Sequence, residues 1–345
     1  MIKCIYPIRS SFALQAAELR RDFKLYTYES FNMILDQSIF QRIVEKKKRL
    51  DSLRPLPTSL VNRLREQVII EWTYNSNAIE GTSLSLRETE LIIEHGLTIK
   101  GKPLKEHFEA INHKGAILFL EKLVEKGGFR IDQLLIRQIH QLILKEIDND
   151  HAGRYREVEV KITGSGFVPP SPARLPIAMR QLEKWLAKSE NQQHLIDYSA
   201  LAHFKLVDIH PFIDGNGRTA RLLMNLILMN RGYPPTVILK TDRQKYYRAL
   251  DLAHRGELKL FVDFIGRSVE RSLTWYLEAV IPEKKKKMVE MWQLLSELAL
   301  KAPYSQEYLS LLARRGRIEA VKKGRNWYSN LQAVRHYIEA SGRKR

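Results

Sequence analysis

Apolar positions recur with helical spacing through most of this chain. The run Leu222-Leu223-Met224-Asn225-Leu226-Ile227-Leu228-Met229 predicts a buried helix that stops at Gly232, with Pro234 just beyond. The preceding segment, Tyr198–Ile209, also reads as helix. Further upstream, Ser76 and Glu80 stand at i,i+4 on one helix face and Gly81 supplies a C-terminal stop. Two places break this rhythm. Val158, Val160 and Ile162 alternate with charged residues and run into Gly164-Ser165-Gly166, which predicts a short β-hairpin. Near the C-terminus, Gly324 turns into a predicted strand carrying Trp327 and Tyr328. The fold class this predicts is all-α, a helical bundle with a short β-hairpin and a small C-terminal module.

Breaks in the pattern divide the chain into four parts. Residues 1–57 form a charged helical region with a Lys46-Lys47-Lys48-Arg49 run, closing near Pro55 and Pro57; the first thirty residues carry no readable pattern. Residues 58–280 hold several amphipathic helices and the hairpin. The charged break Pro282-Glu283-Lys284-Lys285-Lys286-Lys287 opens a linker helix over 281–300, and 301–345 is the small module. There is no repeat of domain-building period.

A chain of 345 residues that is 44% hydrophobic can fill a substantial core. Cys4 is its single cysteine, so no intrachain disulfide can form, which points to a reducing compartment. No apolar run reaches membrane-spanning length, and Met1–Pro7 lacks the apolar core of a signal peptide. The expected location is cytoplasmic, without a membrane partner.

The densest chemistry lies in His210-Pro211-Phe212-Ile213-Asp214-Gly215-Asn216-Gly217-Arg218-Thr219-Ala220-Arg221. His210 is the side chain there that titrates near neutrality, hence a general-base candidate for a hydroxyl proton. Asp214 is a hard oxygen donor suited to Mg²⁺ on a phosphate-bearing substrate. Gly215 and Gly217 let the backbone turn successive N–H groups toward one anion, and the loop empties into a helix N-terminus. Arg218 and Arg221, at i,i+3, fall on one face of the first turn. The loop matches neither a Walker A nor a dinucleotide-binding fingerprint, because the former's Lys-Ser/Thr is missing and the preceding segment is not a strand. These residues suit a polyphosphate.

The same stretch resembles, position for position, the His-Pro-Phe-x-Asp/Glu-Gly-Asn-Gly-Arg-x-x-Arg signature of the Fic (filamentation-induced-by-cAMP) proteins. The resemblance implies a helical enzyme that transfers AMP from Mg·ATP to a protein hydroxyl on Ser, Thr or Tyr, with the chain itself among the candidate targets. It implies His210 as base, Asp214 as Mg²⁺ ligand, and Gly215, Asn216, Gly217, Arg218, Thr219, Ala220 and Arg221 around ATP. Ser76-Asn77-Ala78-Ile79-Glu80-Gly81 is similar to the family's inhibitory motif, in which Glu80, with Ser76, would occupy the arginine that the γ-phosphate needs. Gly153-Arg154-Tyr155-Arg156 and the hairpin resemble the family's flap, whose Val160, Lys161 and Ile162 would capture a target segment by main-chain pairing. In Tyr246-Tyr247-Arg248-Ala249-Leu250, Tyr247 would line the nucleotide pocket. The resemblance leaves open removal of AMP, another nucleotide donor, and a toxin-like module. His95, His107, His113 and His140 show no ligand spacing and read as packing residues.

The net charge of +18 is uneven. Residues 301–345 carry eleven Lys or Arg against three Glu. Ser305 can cap a helix whose Leu309 and Leu312 face a core, and Gly316 breaks to a predicted second short helix before the Trp327 strand. The segment resembles winged helix-turn-helix units of excisionase-like DNA-binding proteins. It implies DNA contact through Arg314, Arg315, Arg317, Lys322, Lys323 and Arg325 in a regulator that keeps the Fic core. The alternative is a packing or homodimer-forming module with a solvated basic face.

Overall fold

The computed structural model describes residues 33–54, 56, 58–162, 165–190, 194–280 and 292–341. Cys4, Gly164, the Pro282–Lys287 break and Arg343–Arg345 lie outside them. Ten helices of the main body are α1 (Gln37–Ser52), α2 (Thr58–Glu80), α3 (Leu86–His95), α4 (Leu104–Lys126), α5 (Gln133–Leu144), α6 (Leu175–Ser189), α7 (Leu195–Ile209), α8 (Asn216–Asn230), α9 (Arg243–His254) and α10 (Leu258–Val280). Their ends follow local chemistry. Ser85 and Glu88 form a reciprocal capping box on α3, which closes on left-handed Gly96; Asp132 caps α5.

The centre is the α7–α8 pair. Helix α8 is apolar nearly all round and therefore buried on all sides. Leu223, Met224 and Ile227 pack into one core with α1, α6, α7, α9 and α10, whereas Leu222 and Leu226 pack into another with α2, α4 and α5. One helix thus joins both cores and carries the motif at its N-terminus. Helix α1 and the residue before its cap lie close along α10: a Cβ on Gly266 would meet Leu35 Cδ1 at 2.4 Å and Ile39 Cγ2 of α1 at 3.3 Å.

The all-α class holds, with one three-stranded antiparallel sheet among the described residues, and its place needs correction. Residues 155–162 and 165–170 carry no strand, so the alternation at Val158, Val160 and Ile162 does not form the expected hairpin. Instead the Arg156 N–H donates to Pro211 O of the motif loop, and the Arg156 guanidinium takes the Val158 and Pro170 carbonyls. The sheet is in the C-terminal part: β1 (Gln293–Leu294), β2 (Val321–Lys323) and β3 (Asn326–Ser329), in the order β1-β3-β2. Between β1 and β2 lie α11 (Leu295–Ala299) and α12 (Gln306–Arg314); α13 (Leu331–Ala340) follows β3. Leu295, Leu298, Leu309, Leu312, Ile318 and Val334 make a separate small core.

Ser305 caps α12 as expected, but no second helix follows Gly316. The carbonyls that would start one are taken by the main body: Arg267 binds Arg315 O, and Arg42 binds Gly316 O and Arg317 O. The chain therefore bends through buried Ile318 into β2. The paired short helices are α11 and α12, one element earlier than predicted. Arg42 also forms a bidentate pair with Glu270 (2.8 and 2.9 Å), and Lys46 joins both Glu270 and Glu319. No helix of the described residues is long and apolar enough to cross a membrane.

Candidate active site

The loop between α7 and α8 is folded by its own side chains. Phe212 is fully buried and lies flat on the His140 ring, centroids 3.6 Å apart at 4°. Asn216 closes the loop on itself, its amide accepting from Phe212 N (3.0 Å) and donating to Phe212 O (2.8 Å). Gly215 stands at φ +76°, and a Cβ there would press on His140 at 3.3 Å, so both conformation and space require glycine. Thr219 and Ala220 are fully buried. The Thr219 hydroxyl donates to Gly215 O at 2.8 Å, so these two secure the first turn of α8 rather than line an open surface.

His210 ends α7 in the left-handed region, φ +50° and ψ +56°, a strained place for a residue with a Cβ. Its Nδ1–H donates to Val207 O at 3.3 Å, which leaves Nε2 as the basic nitrogen of the neutral ring. Burial is the largest influence on its pKa and lowers it. Arg156 and His254 lower it further, and together these outweigh Val207 O and Glu80, which raise it. The imidazole is therefore neutral at physiological pH.

Asp214 is half-exposed, 3.3 Å from Arg218 Nη2 and 3.7 Å from Lys105 Nζ. Burial pushes its carboxyl up, but Arg218, the Gly215 N–H and Lys105 outweigh it and hold the group below the usual carboxylate range. Arg218 is buried and pairs through Nη1 with Glu109 of α4 at 3.1 Å. Among the described residues no three His, Cys, Asp or Glu gather as a metal cage.

The first turn of α8 is covered by Glu80. A Cβ on Gly217 would lie 2.3 Å from Glu80 Oε1 and 3.1 Å from Arg221 Nη1, so the carboxylate sits where the helix N-terminus favours an anion. Buried Arg221 donates from Nη2 to Glu80 Oε1 (2.7 Å) and Ser76 O (2.8 Å), and from Nε to Ser76 Oγ (3.0 Å). Its Nη1 has no hydrogen-bond partner among the described residues. Helix α2 is held from α9: Arg243 Nε donates to Ile79 O at 2.7 Å, and Tyr247 OH to the same carbonyl at 3.2 Å. Tyr247 thus faces the site, while Tyr246 is a core residue bonded to His203 at 3.0 Å.

Val160, Lys161 and Ile162 are exposed or half-exposed beside the loop. Beyond them the segment is anchored on α9, where Ser165 Oγ donates to Asp251 at 2.8 Å and Phe167 stacks on His254 at 3.8 Å. Sequence reading missed several participants. His140 accepts from Gly153 N–H at Nδ1 and donates from Nε2 to Asp214 O, both at 2.9 Å. Glu109 and Arg243 were equally silent, because each acts on a carbonyl or charge distant in the chain, and Arg156 was read only as part of the stretch resembling the flap.

Comparison with known proteins agrees with this arrangement. A model of the Fic/DOC family matches residues 130–228. The chain is 40% identical over 247 residues to a "Protein adenylyltransferase Fic" of Culex quinquefasciatus, covering 71% of this chain and 49% of the relative. It thus spans about half the length of the curated relatives it matches. Among solved structures, a fragment of Fic-1 from C. elegans is 35% identical with TM-score 0.64, covering 71% of this chain and 72% of that one. A Fic-domain-containing signalling protein of Bacteroides thetaiotaomicron is 28% identical with TM-score 0.65, covering 69% of this chain and 96% of that one.

Proposed function

Because the chain belongs to the Fic/DOC family, we propose that its site transfers AMP from ATP to a hydroxyl side chain of a protein and that Glu80 restrains the transfer. The observation that carries this reading is the meeting of a neutral imidazole, with Nε2 free, and a helix N-terminus whose anion cradle ends on the unpartnered Arg221 Nη1. The target hydroxyl gives its proton to His210 Nε2 as its oxygen bonds to the α-phosphorus. The bond from that phosphorus to the pyrophosphate oxygen breaks, and pyrophosphate leaves. The N–H groups at Asn216 and Gly217 and the Arg218 and Arg221 guanidiniums take up phosphate charge, while the Gly215 N–H orients the Asp214 carboxylate. The Asp214 carboxylate, held ionised by its neighbours, suits a Mg²⁺ ion and would hold it on the phosphate-bearing substrate. Mg²⁺ would neutralise charge on the phosphates.

With Glu80 on Arg221 and over Gly217, the γ-phosphate finds its clamp occupied and the α-phosphate is turned from the hydroxyl. The test is incubation of the chain, and of its Glu80→Gly variant, with Mg²⁺ and ATP labelled on the α-phosphate or the γ-phosphate. Covalent label from the α-position alone, on the chain or an added protein, supports AMP transfer. Label from the γ-position would instead indicate phosphoryl transfer, and release of AMP from a pre-labelled protein would indicate the reverse reaction.

A second reading concerns the basic C-terminal part. Its Glu319 and Arg317 are turned onto Lys46 and Asp36 of the main body, whereas Lys322, Lys323 and Arg325 at the β2–β3 turn are exposed and have no carboxylate partner among the described residues. That uneven pairing favours a polyanion, and we assign duplex DNA to this turn and the α11–α12 pair. Retention on DNA should fall steeply with salt; absence of retention at low salt would leave the region a packing module.

A further inference from the structure

Arg156 is 2% exposed, yet among the described residues no carboxylate forms an ion pair with it, and Glu159 acts on it only at a distance. Its Nε donates to His210 O at 2.9 Å, Nη1 to Val158 O at 2.9 Å and Nη2 to Pro170 O, while its backbone N–H donates to Pro211 O at 2.9 Å. Burying a guanidinium is costly, and carbonyl dipoles repay that cost less well than a carboxylate does. What the three carbonyls share is therefore informative. One belongs to the residue that bears the imidazole. The other two belong to the outgoing and returning arms of the exposed segment beside it. His210 is also one of two non-glycine residues with positive φ among those described, and such a conformation persists where its surroundings over-determine it.

We propose that Arg156 is a positioning residue for the transfer: it fixes the His210 peptide, and with it the direction of the imidazole, and ties both arms of the flap to that same peptide. The proposal rests on the reading of His210 as the base. A single planar fork then sets the base and the target-holding segment in common register, so a hydroxyl brought in on the flap arrives where Nε2 can take its proton. Misplacement by about 1 Å can cost roughly a hundredfold in rate. Lysine keeps the charge but not the fork, so it should not substitute. His140 splints the other side of the loop at Asp214 and Gly153, which leaves the His210 side to Arg156.

Three charged or titratable groups bear on His210: Arg156 beside its carbonyl, Glu80 from α2 and His254 from α9. Arg156 and His254 lower its pKa and Glu80 raises it. Removing the Arg156 charge should therefore raise it; loosening the fold would raise it too by relieving burial, but would do so in Arg156→Lys as well as in Arg156→Gln.

The experiment uses the full chain carrying Glu80→Gly, alone and with Arg156→Lys or Arg156→Gln. It measures kcat and KM for AMP transfer, ATP affinity at equilibrium, melting temperature, and the pH–rate profile. We expect kcat to fall about tenfold or more in both variants while ATP affinity stays within about twofold. The acid limb should move to higher pH in Arg156→Gln and not in Arg156→Lys. Unchanged kcat in both variants would overturn the proposal, and so would losses of kcat and ATP affinity in equal measure. If Arg156→Gln does not fold, the Arg156→Lys split between kcat and ATP affinity decides. A parent that transfers no AMP would overturn the reaction and this role together, whereas a competent parent matched by its variants would overturn Arg156 alone.

Discussion

Glu80 Oε1 lies 2.7 Å from Arg221 Nη2 and directly over Gly217, so one carboxylate fills the anion site of α8 and engages the buried guanidinium behind it. Substrate phosphate and Glu80 cannot hold that place together. Replacing Glu80 by glycine is expected to speed autoadenylylation by roughly a hundredfold if the α-phosphate is otherwise displaced by about 1 Å. Glu80→Gln should accelerate it less, because an amide oxygen still accepts from Arg221. Arg221→Ala should be slow with or without Glu80. Rates for the four proteins decide, and a Glu80→Gly rate equal to that of the parent would sink the restraint.

His210 should show its lowered pKa in kinetics. A base must be unprotonated, so the rate rises as pH climbs through the His210 pKa and is level above it. Burial places that pKa below the ordinary imidazole value of about 6.5. In the Glu80→Gly background it should lie lower still, since the carboxylate that favours the imidazolium is gone. The expected profile is flat from neutrality upward, with its acid limb below 6.5. His210→Ala should lose roughly 10²–10⁴-fold in rate while nucleotide binding persists. An acid limb centred above neutrality would contradict the assignment.

Much of this was legible in the sequence because it is local. The run Leu222–Met229 announces a buried helix, and the glycines at its head announce what that helix start can hold. Ser76 and Glu80 share a face by spacing alone, and α2 does present both to Arg221. What stayed hidden depends on partners remote in the chain. Val158, Val160 and Ile162 alternate as a strand would, yet Arg156 takes the Val158 and Pro170 carbonyls. The stretch after Gly316 has the composition of a helix, but Arg42 and Arg267, far upstream, hold its carbonyls. His140 shows no ligand spacing because its partners are a backbone N–H and a carbonyl.

Gly217→Ala separates displacement of Glu80 from repair of the site. The new methyl would overlap Glu80 Oε1, and that flexible carboxylate can move aside. Position 217 is helical, so the fold should be unharmed or slightly stabilised, by about 0.5–1 kcal/mol. The methyl nonetheless fills the space that phosphate needs. Because displacing Glu80 also loosens its ion pair with buried Arg221, the comparison is made in the Glu80→Gly background, where the added methyl is expected to leave the melting temperature no lower, weaken ATP binding and keep the protein inactive. Activity matching Glu80→Gly alone would show that the cradle over Gly217 is not where the phosphate goes.

The last expectation concerns stability and lies away from the active site. Glu270 is buried on α10 and is the shared partner of Arg42 and Lys46 on α1. Burial would raise its carboxyl pKa, but the two cations outweigh it and hold it below the usual carboxylate range. Because the folded pKa is depressed, this contribution is full above the unfolded pKa and is lost as pH falls through the folded one. Glu270→Ala leaves buried Arg42 without its carboxylate and Lys46 with Glu319 alone, a loss of up to about 3–5 kcal/mol when one member of a buried pair is removed. Arg42→Met with Lys46→Met and Glu270→Leu removes the three buried charges, leaves the partly exposed Glu319 to solvent and should recover much of that loss, since apolar side chains of similar volume often replace buried ions without penalty. The measurement is denaturant unfolding at neutral pH and near pH 4, where the parent should weaken and the apolar triple variant should weaken less. Equal acid sensitivity in both would mean that other carboxylates, and not Glu270, fasten α1 to α10.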